Sequence, residues 1–170
     1  MVSYVKGVYT MPMNNDGQYG YLFMQELKLP STHEKLLSHY RNFGERIHWI
    51  DSNNIPGAFQ MNTSWWYKPN REQVLSNPES QVAKPHFHNY PEILGFYGSD
   101  PYHPYELNGE IEFYINGEQH ILTKSTMVFI PPNLPHCPLL INRADMPIFH
   151  FSVVMNEIYG FEGNGSFRAE

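Results

Sequence analysis

Two histidines one position apart, His86 and His88, are the residues of this chain best placed to do chemistry. Alternate residues of a strand point to the same face of a sheet, so both imidazoles can face one site. Glu92 can rejoin them where the chain bends at Asn89-Tyr90-Pro91, and His136 can reach them from a distant strand. Three imidazoles and one carboxylate suit one divalent transition metal ion, namely Fe, Mn, Zn, Ni, Co or Cu.

The same four residues indicate a working metal centre rather than a structural zinc site. Structural zinc relies largely on thiolate ligands, and the single cysteine of this chain is Cys137. Cys137 directly follows His136 on a predicted strand, so we expect its thiol to face away from the metal and to pack as a small apolar group. Four protein ligands leave one or two positions of an octahedral ion open for an oxygen-bearing substrate.

The spacing of these residues resembles the two sequence motifs of the cupin family. The first motif runs from a glycine through His-x-His and a glutamate to a second glycine. The second motif carries a proline, a glycine turn, a histidine and an asparagine. The matching positions are His86, His88, Glu92, Pro131 and His136, with Gly98 one place short of the closing glycine of the first motif. The resemblance covers roughly residues 60 to 155, and it implies that the three histidines and Glu92 are metal ligands.

Four positions depart from these motifs. Ser80 replaces the opening glycine, Ser125 and Asn133 replace the glycines of the second motif, and Leu140 replaces its asparagine. Asparagine tolerates positive φ better than most residues, so we expect the turn at Asn133 to survive. The ligand positions are therefore intact, while the glycines that shape the turns are partly replaced.

The pattern of strands and turns predicts an all-β fold. From residue 82 onward, short apolar stretches alternate with turn signals at short intervals, which is typical of a sandwich or barrel. Asn116-Gly117 between two such stretches is a strong signal for a type I′ hairpin. Taken with the resemblance, the pattern predicts a cupin barrel, also described as a double-stranded β-helix or jelly roll.

We expect three parts along the chain. Residues 1–57 form an N-terminal extension that packs on the barrel, residues 58–158 form the barrel, and residues 159–170 form a C-terminal tail. The extension carries one short helix that begins at Ser31, where Ser31 and Glu34 make a capping box. The length of 170 residues is enough for one domain with a sizeable core.

Charge and hydropathy exclude some partners. The formal net charge of −6 argues against nucleic acid or an anionic membrane, because both attract basic surfaces. No apolar run approaches the roughly 20 residues of a membrane span, and the N-terminus lacks the pattern of a secretion signal. We therefore expect a cytoplasmic protein that binds a small-molecule substrate, and by analogy with cupins we expect a homodimer.

Three further residues are weaker candidates for catalysis. His150 lies on a predicted strand, where a satisfied structural histidine is the simpler interpretation. Tyr97 is a candidate pocket wall, and Glu110 shares a strand face with Glu112, although such a pair more often forms a solvated surface. The Pro- and Tyr-rich segment 99–108 could be a lid over the barrel mouth, a dimer contact or a plain surface loop.

Two classes of function follow from these observations. The first is a divalent-metal-dependent cupin enzyme, in which the ion acts as a Lewis acid and stabilises enolate charge, as an isomerase, decarboxylase or lyase. An Fe-dependent dioxygenase is the alternative within this class. The second class is a non-catalytic small-molecule-binding cupin, which includes a metal-free form in which the same residues bind a ligand by hydrogen bonds. The sequence leaves these alternatives open.

Overall fold

A computed structural model describes residues 18–29, 40–77 and 83–157 of the chain. Within these ranges it contains eight strands, one α-helix and one 3-10 turn. The strands are β1 (Gly44–Ile50), β2 (Met61–Trp66), β3 (Glu92–Gly98), β4 (Glu106–Ile115), β5 (Glu118–Lys124), β6 (Thr126–Ile130), β7 (His136–Ala144) and β8 (Ile148–Val154). The α-helix, α1, spans Arg71–Ser76, and the 3-10 turn spans Gly20–Leu22.

The eight strands form two antiparallel sheets. Five strands lie in the order β1-β2-β8-β3-β6, and three lie in the order β5-β4-β7. Strand β8 pairs with both β2 and β3, which are distant from it in the sequence. The predicted all-β architecture of antiparallel sheets is therefore confirmed. None of the helices in the described ranges has the length and apolar character needed to cross a bilayer.

Apolar side chains at alternate strand positions fill the space between the two sheets. The five-stranded sheet contributes Trp66, Phe96 and Ile148 to this core, and the three-stranded sheet contributes Ile111 and Phe113. All five are buried, and full burial of such a side chain stabilises a fold by about 1.5–3 kcal/mol. The period-two pattern read from the sequence thus corresponds to one shared core.

The β4–β5 connection is the tight hairpin that the sequence predicts. Asn116 has φ 48° and Gly117 has φ 83°, so both central residues adopt the left-handed conformation. A type I′ turn requires positive φ at both positions, which asparagine and glycine supply at low cost. The hairpin prediction is confirmed.

The five-stranded sheet has two distinct ends. At one end Glu92 lies beside Ile130 on one neighbouring strand and Val154 on the other. We call this the ligand end, because Glu92 is a predicted metal ligand. At the other end, the far end, Gly98 lies beside Ile148.

The segment that follows β3 lies at the far end, so of the three alternatives for segment 99–108 the lid near the metal is wrong. β3 carries the chain from Glu92 to Gly98, which is about 20 Å at roughly 3.3 Å per residue. Residues 99–105 then connect Gly98 to the start of β4. The sequence placed segment 99–108 near the metal because it follows the first motif closely, but the direction of β3 takes it away.

The helix expected to begin at Ser31 falls on residues 30–39, which lie outside the described residues. The helix that is described, α1, was not predicted, because residues 68–80 have the composition of a loop. Strand β1 lies in the stretch assigned to the N-terminal extension, and it pairs with β2 as an edge strand of the larger sheet. The boundaries of the three parts stay predictions.

Tertiary contacts hold α1 against the three-stranded sheet. Asn70, just before the helix, accepts a hydrogen bond from the Ile141 amide through Oδ1 at 2.6 Å and donates its own amide to the Ile141 carbonyl at 3.0 Å. Arg71 forms an ion pair with Glu112 and donates to Asn142 Oδ1 at 3.1 Å. These contacts explain why a segment with a weak local signal is helical here.

A substitution at Gly98 tests the close packing at the far end of the sheet. A Cβ at this position would overlap the Glu106 carbonyl oxygen and approach the Leu107 carbonyl oxygen to 3.0 Å. Because backbone atoms cannot move aside cheaply, Gly98→Ala should lower the free energy of unfolding by about 3 kcal/mol, measured by urea titration. Gly57→Ala is the control, since its Cβ would meet nothing within 4 Å and only its φ of 82° adds a cost, about 1 kcal/mol. Equal losses in the two variants would contradict this account.

The buried carboxylate of Glu112 should make stability depend on pH. Burial by itself would raise its pKa, but hydrogen bonds, first from Tyr114 and then from Asn142, outweigh burial and lower the pKa to about 2. Because its pKa is lower in the folded state, Glu112 stabilises the protein above pH 4.5, the usual pKa of a glutamate, and this contribution is lost as the pH falls towards 2. Glu112→Gln should therefore flatten the decline of unfolding free energy between pH 4.5 and 2. The exposed Glu118→Gln should leave that decline unchanged.

Candidate metal centre

Backbone hydrogen bonds join the two segments that carry the predicted ligands. The His86 amide donates to the His136 carbonyl at 3.0 Å, and the His136 amide donates to the His86 carbonyl at 2.9 Å. The Asn133 amide donates to the His88 carbonyl at 2.8 Å. The two segments are thus held together at the ligand residues themselves.

The strand predicted from Val82 to His88 is reduced to this one bridge. Val82 lies outside the described residues, and within residues 83–91 only His86 takes part in a β-bridge. Two features interrupt the ladder. Pro85 and Pro91 have no amide hydrogen to donate, and nearby backbone carbonyls accept hydrogen bonds from imidazoles instead.

The turn before His136 survives the loss of its glycine. Asn133 has φ 64°, which is the left-handed conformation that a glycine would otherwise supply. Its side chain belongs to one of the few types that tolerate this conformation, and its amide makes the contact to His88 described above. The expectation drawn from the sequence for Asn133 is confirmed.

Each of the three imidazoles is oriented by a backbone carbonyl two residues away. In every case Nδ1 is the donor, which leaves Nε2 as the atom that can bind a metal. The Nδ1-to-oxygen distances are 3.1 Å for His86 to Lys84, 2.7 Å for His88 to Tyr90 and 3.0 Å for His136 to Leu134. The local backbone therefore selects the same tautomer for all three rings.

Three buried side chains converge closely enough to hold one ion. The ligand atoms of His88, Glu92 and His136 all lie within 4.8 Å of one another. Glu92 Oε2 is 3.1 Å from His88 Nε2 and 3.4 Å from His136 Nε2. Two ligand atoms each about 2.1 Å from an ion and at right angles would be about 3 Å apart, so these distances fit one metal centre.

His86 lies beside this group rather than within it. Its ring centroid is 4.4 Å from that of His136 and 6.3 Å from that of His88. Burial, and then the proximity of His136, lower the pKa of His86 to about 4, so the ring is neutral near pH 7. A neutral, oriented imidazole is the form that binds metal. The assignment of His86 as a fourth ligand stays a prediction.

Glu92 is held in its ionised form. Burial by itself would raise its pKa, but contacts with His136, His88 and Ser152 outweigh burial and lower the pKa to about 2. The Ser152 hydroxyl donates to Oε1 at 2.6 Å, while Oε2 faces the imidazoles. One carboxylate oxygen is thus oriented by a serine, and the other is directed at the ion position.

The donor set fits a cation. With Nδ1 donating to a backbone carbonyl, Nε2 is the remaining ring nitrogen, and here the Nε2 atoms of His88 and His136 face one carboxylate oxygen. Nitrogen and oxygen lone pairs this close repel one another in a buried site unless a proton or a metal ion lies between them. His88, Glu92 and His136 can therefore hold a divalent ion, and an oxygen- and imidazole-rich set suits several transition metals.

The weaker candidates lie away from these three residues. His150 faces the interior, stacks on Trp66 at 4.1 Å between ring centroids, and donates from Nδ1 to the Gly95 carbonyl. Burial, and then the charge of Arg46, lower its pKa to about 3. Tyr97 stacks on Phe151, on the face of the larger sheet that is turned away from the core.

Glu110 and Cys137 occupy different surroundings from the metal ligands. Glu110 accepts a hydrogen bond from Asn142 on the outer face of the smaller sheet, opposite the core-facing Ile111. Cys137 is buried in the core, and burial, followed by the charge of Glu92, raises the pKa of its thiol. The thiol is therefore protonated, as expected for a small apolar residue, and it does not act as a thiolate ligand.

Sequence reasoning missed Ser152 as a partner of Glu92. The only available signal was that Ser152 shares a strand face with His150, two positions earlier. Its contact with Glu92 depends on β8 lying beside β3, where Ser152 is adjacent to Leu94. That pairing is not encoded in any local pattern.

Comparisons with known proteins were made at the level of families, sequences and structures. No protein-family model matches the chain, and no curated protein matches it. Solved structures do match. One is an oxalate oxidase in complex with the substrate analogue glycolate, at 18% identity and a TM-score of 0.47, covering 89% of this chain and 67% of that chain.

Two other matching structures are described as cupins. A sugar phosphate isomerase from a cupin superfamily, from Silicibacter pomeroyi DSS-3, is 12% identical with a TM-score of 0.40, covering 76% of this chain and 68% of that one. An RmlC-like cupin from Shewanella frigidimarina NCIMB 400 is 16% identical with a TM-score of 0.32, covering 56% and 65%. At these identities and scores the likenesses carry no argument about activity, substrate or metal.

Ser152 offers a test of the centre that leaves its ligands in place. Ser152→Ala removes the hydrogen bond to Glu92 Oε1, so the carboxylate should be less well oriented and metal should bind about 10-fold more weakly. The dissociation constant for Ni²⁺ can be measured by competition with a chromophoric chelator. The matched control is Ser125→Ala, whose hydroxyl accepts a hydrogen bond from the Gly98 amide at the far end. If both serine variants bind Ni²⁺ as the wild type does, Ser152 does not support the centre.

Proposed function

We propose that the chain is a cupin-type metalloprotein that holds one divalent transition metal ion with His86, His88, Glu92 and His136. One observation supports this most directly: two imidazoles whose Nδ1 atoms donate to backbone carbonyls direct Nε2 towards one oxygen of a buried carboxylate. His86 is included because its backbone is paired with His136 and its ring is oriented in the same way.

We further propose an enzyme that acts on a small oxygen-bearing organic molecule, as an isomerase, decarboxylase or lyase. The bound ion would supply Lewis-acid chemistry, which polarises an oxygen of the substrate and stabilises enolate charge. The residues of the chain determine the charge of the site. Glu92 stays ionised, and imidazoles bind metal in their uncharged form, so the protein would contribute one negative charge to a divalent ion.

The same residues also orient the site and limit its access to water. The carbonyls of Lys84, Tyr90 and Leu134 fix the ring planes, so little reorganisation is needed when an ion or substrate binds. His86, His88, Glu92, His136 and Ser152 are all buried. Metal and substrate therefore meet in an environment where electrostatic interactions are stronger than in bulk water.

The metal centre is tested by removing two ligands together. Purified wild type should contain about one transition metal ion per chain, and the double variant His88→Ala/His136→Ala should contain less than about a tenth of that, by elemental analysis. Wild type should also lose several degrees of melting temperature on treatment with a chelator, because metal bound only to the folded state stabilises it. The double variant should show no such loss.

The control variant also replaces two histidines with alanine, but at positions away from the centre. His103 is exposed and His120 half-buried, and both lie outside the centre, so His103→Ala/His120→Ala should retain the metal content of the wild type. Equal metal content in the wild type and in the His88/His136 variant would refute the proposed centre.

A turnover assay distinguishes the proposed enzyme from the dioxygenase and from the non-catalytic binding protein. Metal-loaded protein is incubated with hydroxy acids, keto acids and diols, while NMR follows the substrates and an electrode follows O₂. Conversion without O₂ uptake supports the isomerase, decarboxylase or lyase proposal. Conversion with stoichiometric O₂ uptake by the iron form indicates the dioxygenase, and saturable binding without conversion indicates the non-catalytic binding protein.

A further inference from the structure

Gln60 is a fully buried side chain whose polar atoms are not used. Its exposed fraction is 0%, and within the described part of the chain neither Nε2 nor Oε1 has a hydrogen-bond partner. Its backbone is engaged, since the amide donates to the Asn156 carbonyl at 2.8 Å and the carbonyl accepts from the Val154 amide at 3.0 Å. A buried amide without partners is costly, and native proteins seldom retain one without a reason.

The backbone contacts place Gln60 at the ligand end. Val154, which donates to the Gln60 carbonyl, is also the register partner of Glu92 on the other side of β8. Gln60 and Glu92 therefore lie two strands apart in one row of the sheet, about 10 Å between backbones at roughly 4.8 Å per strand. A small molecule bound beside Glu92 spans such a distance.

The interior near Gln60 combines polar and apolar side chains. Gln60 directly precedes β2 and shares its inner face with Trp66, because positions of equal parity point the same way. On this face and on β8, the buried residues near the ligand end are the polar Asn62 and Ser152 and the apolar Val154. A mainly apolar interior with a few polar groups is the usual lining of a small-molecule site.

We propose that Gln60 is a specificity-determining residue that recognises a hydroxyl or carboxamide group on the ligand of the metal centre. This inference rests on the proposed metal site, since the other end of the ligand is taken to bind the ion. The unpartnered amide then completes its hydrogen bonds only when the ligand is present.

The chemistry of the amide selects the group. Nε2 is a donor and Oε1 is an acceptor, and both lack partners. A carboxylate on the ligand would satisfy only Nε2, and an ammonium would satisfy only Oε1. A hydroxyl or a carboxamide both donates and accepts, so it is the group that leaves neither atom of Gln60 without a hydrogen bond.

The experiment uses three 2-hydroxy acids that share the metal-chelating end and differ at the other end. They are 2-hydroxybutanoate with a methyl group, malate with a carboxylate, and 2,4-dihydroxybutanoate with a hydroxyl. Binding to Ni²⁺-loaded protein is measured by calorimetry. Wild type should bind the hydroxyl compound at least about tenfold more tightly than the methyl compound, since unpaired buried polar groups penalise the poorer match.

Gln60→Met keeps the size of the side chain and removes the amide. This variant should bind all three acids with affinities within about threefold of one another. Its metal-free form should melt about 2–6 °C higher than wild type, because an unsatisfied buried amide has been replaced by an apolar group. Gln25→Met, at an exposed position outside the strands, is the control and should change neither property.

Each other outcome overturns the proposal. A lower melting temperature for Gln60→Met would show that the amide has a structural role. A higher melting temperature with unchanged discrimination would show that the amide binds only water or nothing. If wild type takes up no Ni²⁺, the metal centre itself fails. If it takes up Ni²⁺ but does not favour the hydroxyl compound, only the inference about Gln60 fails.

Discussion

The pair of backbone hydrogen bonds between His86 and His136 is the interaction on which the site depends. It brings two segments that are remote in sequence to a fixed separation, and it does so at the ligand residues themselves. The contact from the Asn133 amide to His88 adds a third fixed point. Because these hydrogen bonds fix the backbone, the carbonyls that accept a hydrogen bond from each Nδ1 need only fix the rotation of the ring. Backbone pairing thus determines position, and side-chain hydrogen bonds determine orientation.

The interior of the larger sheet changes character along its strands. Towards the far end it carries Trp66, Phe96 and Ile148, which belong to the shared apolar core. Towards the ligand end the buried polar residues Ser152 and Gln60 lie among buried apolar ones, Ile130 and Val154. Apolar burial supplies the stability that the buried polar groups reduce, since a fold tolerates local violations only when other parts compensate.

The features that could be predicted from the sequence are those with local signals. Strand alternation and the Asn116-Gly117 turn are local, and the left-handed turn at Asn133 follows from its residue type. His88 and Glu92 lie in one short segment, so their convergence could also be anticipated. The contribution of His136 was anticipated through the resemblance, because nothing local indicates which strand it meets.

The features that could not be predicted depend on register and strand direction. α1 is held by contacts from Asn70 and Arg71 to strands far along the chain, and residues 68–80 by themselves have the composition of a loop. Segment 99–108 follows the first motif closely, yet β3 runs away from Glu92 and places the segment at the other end. Ser152 reaches Glu92 only because β8 lies beside β3. Proximity in sequence was a poor guide wherever a whole strand intervened.

The imidazoles and the Gln60 amide differ in which groups satisfy their hydrogen bonds. At the candidate metal centre, each imidazole donates a hydrogen bond from Nδ1 to a nearby backbone carbonyl, so the rings are oriented before any ligand binds. Near Gln60, no group in the described residues performs that role for the amide. A ligand that satisfies the amide would add stability as well as affinity, because it binds the folded chain alone. Under the two proposals, the protein retains the ion and the ligand completes the hydrogen bonds of the polar interior.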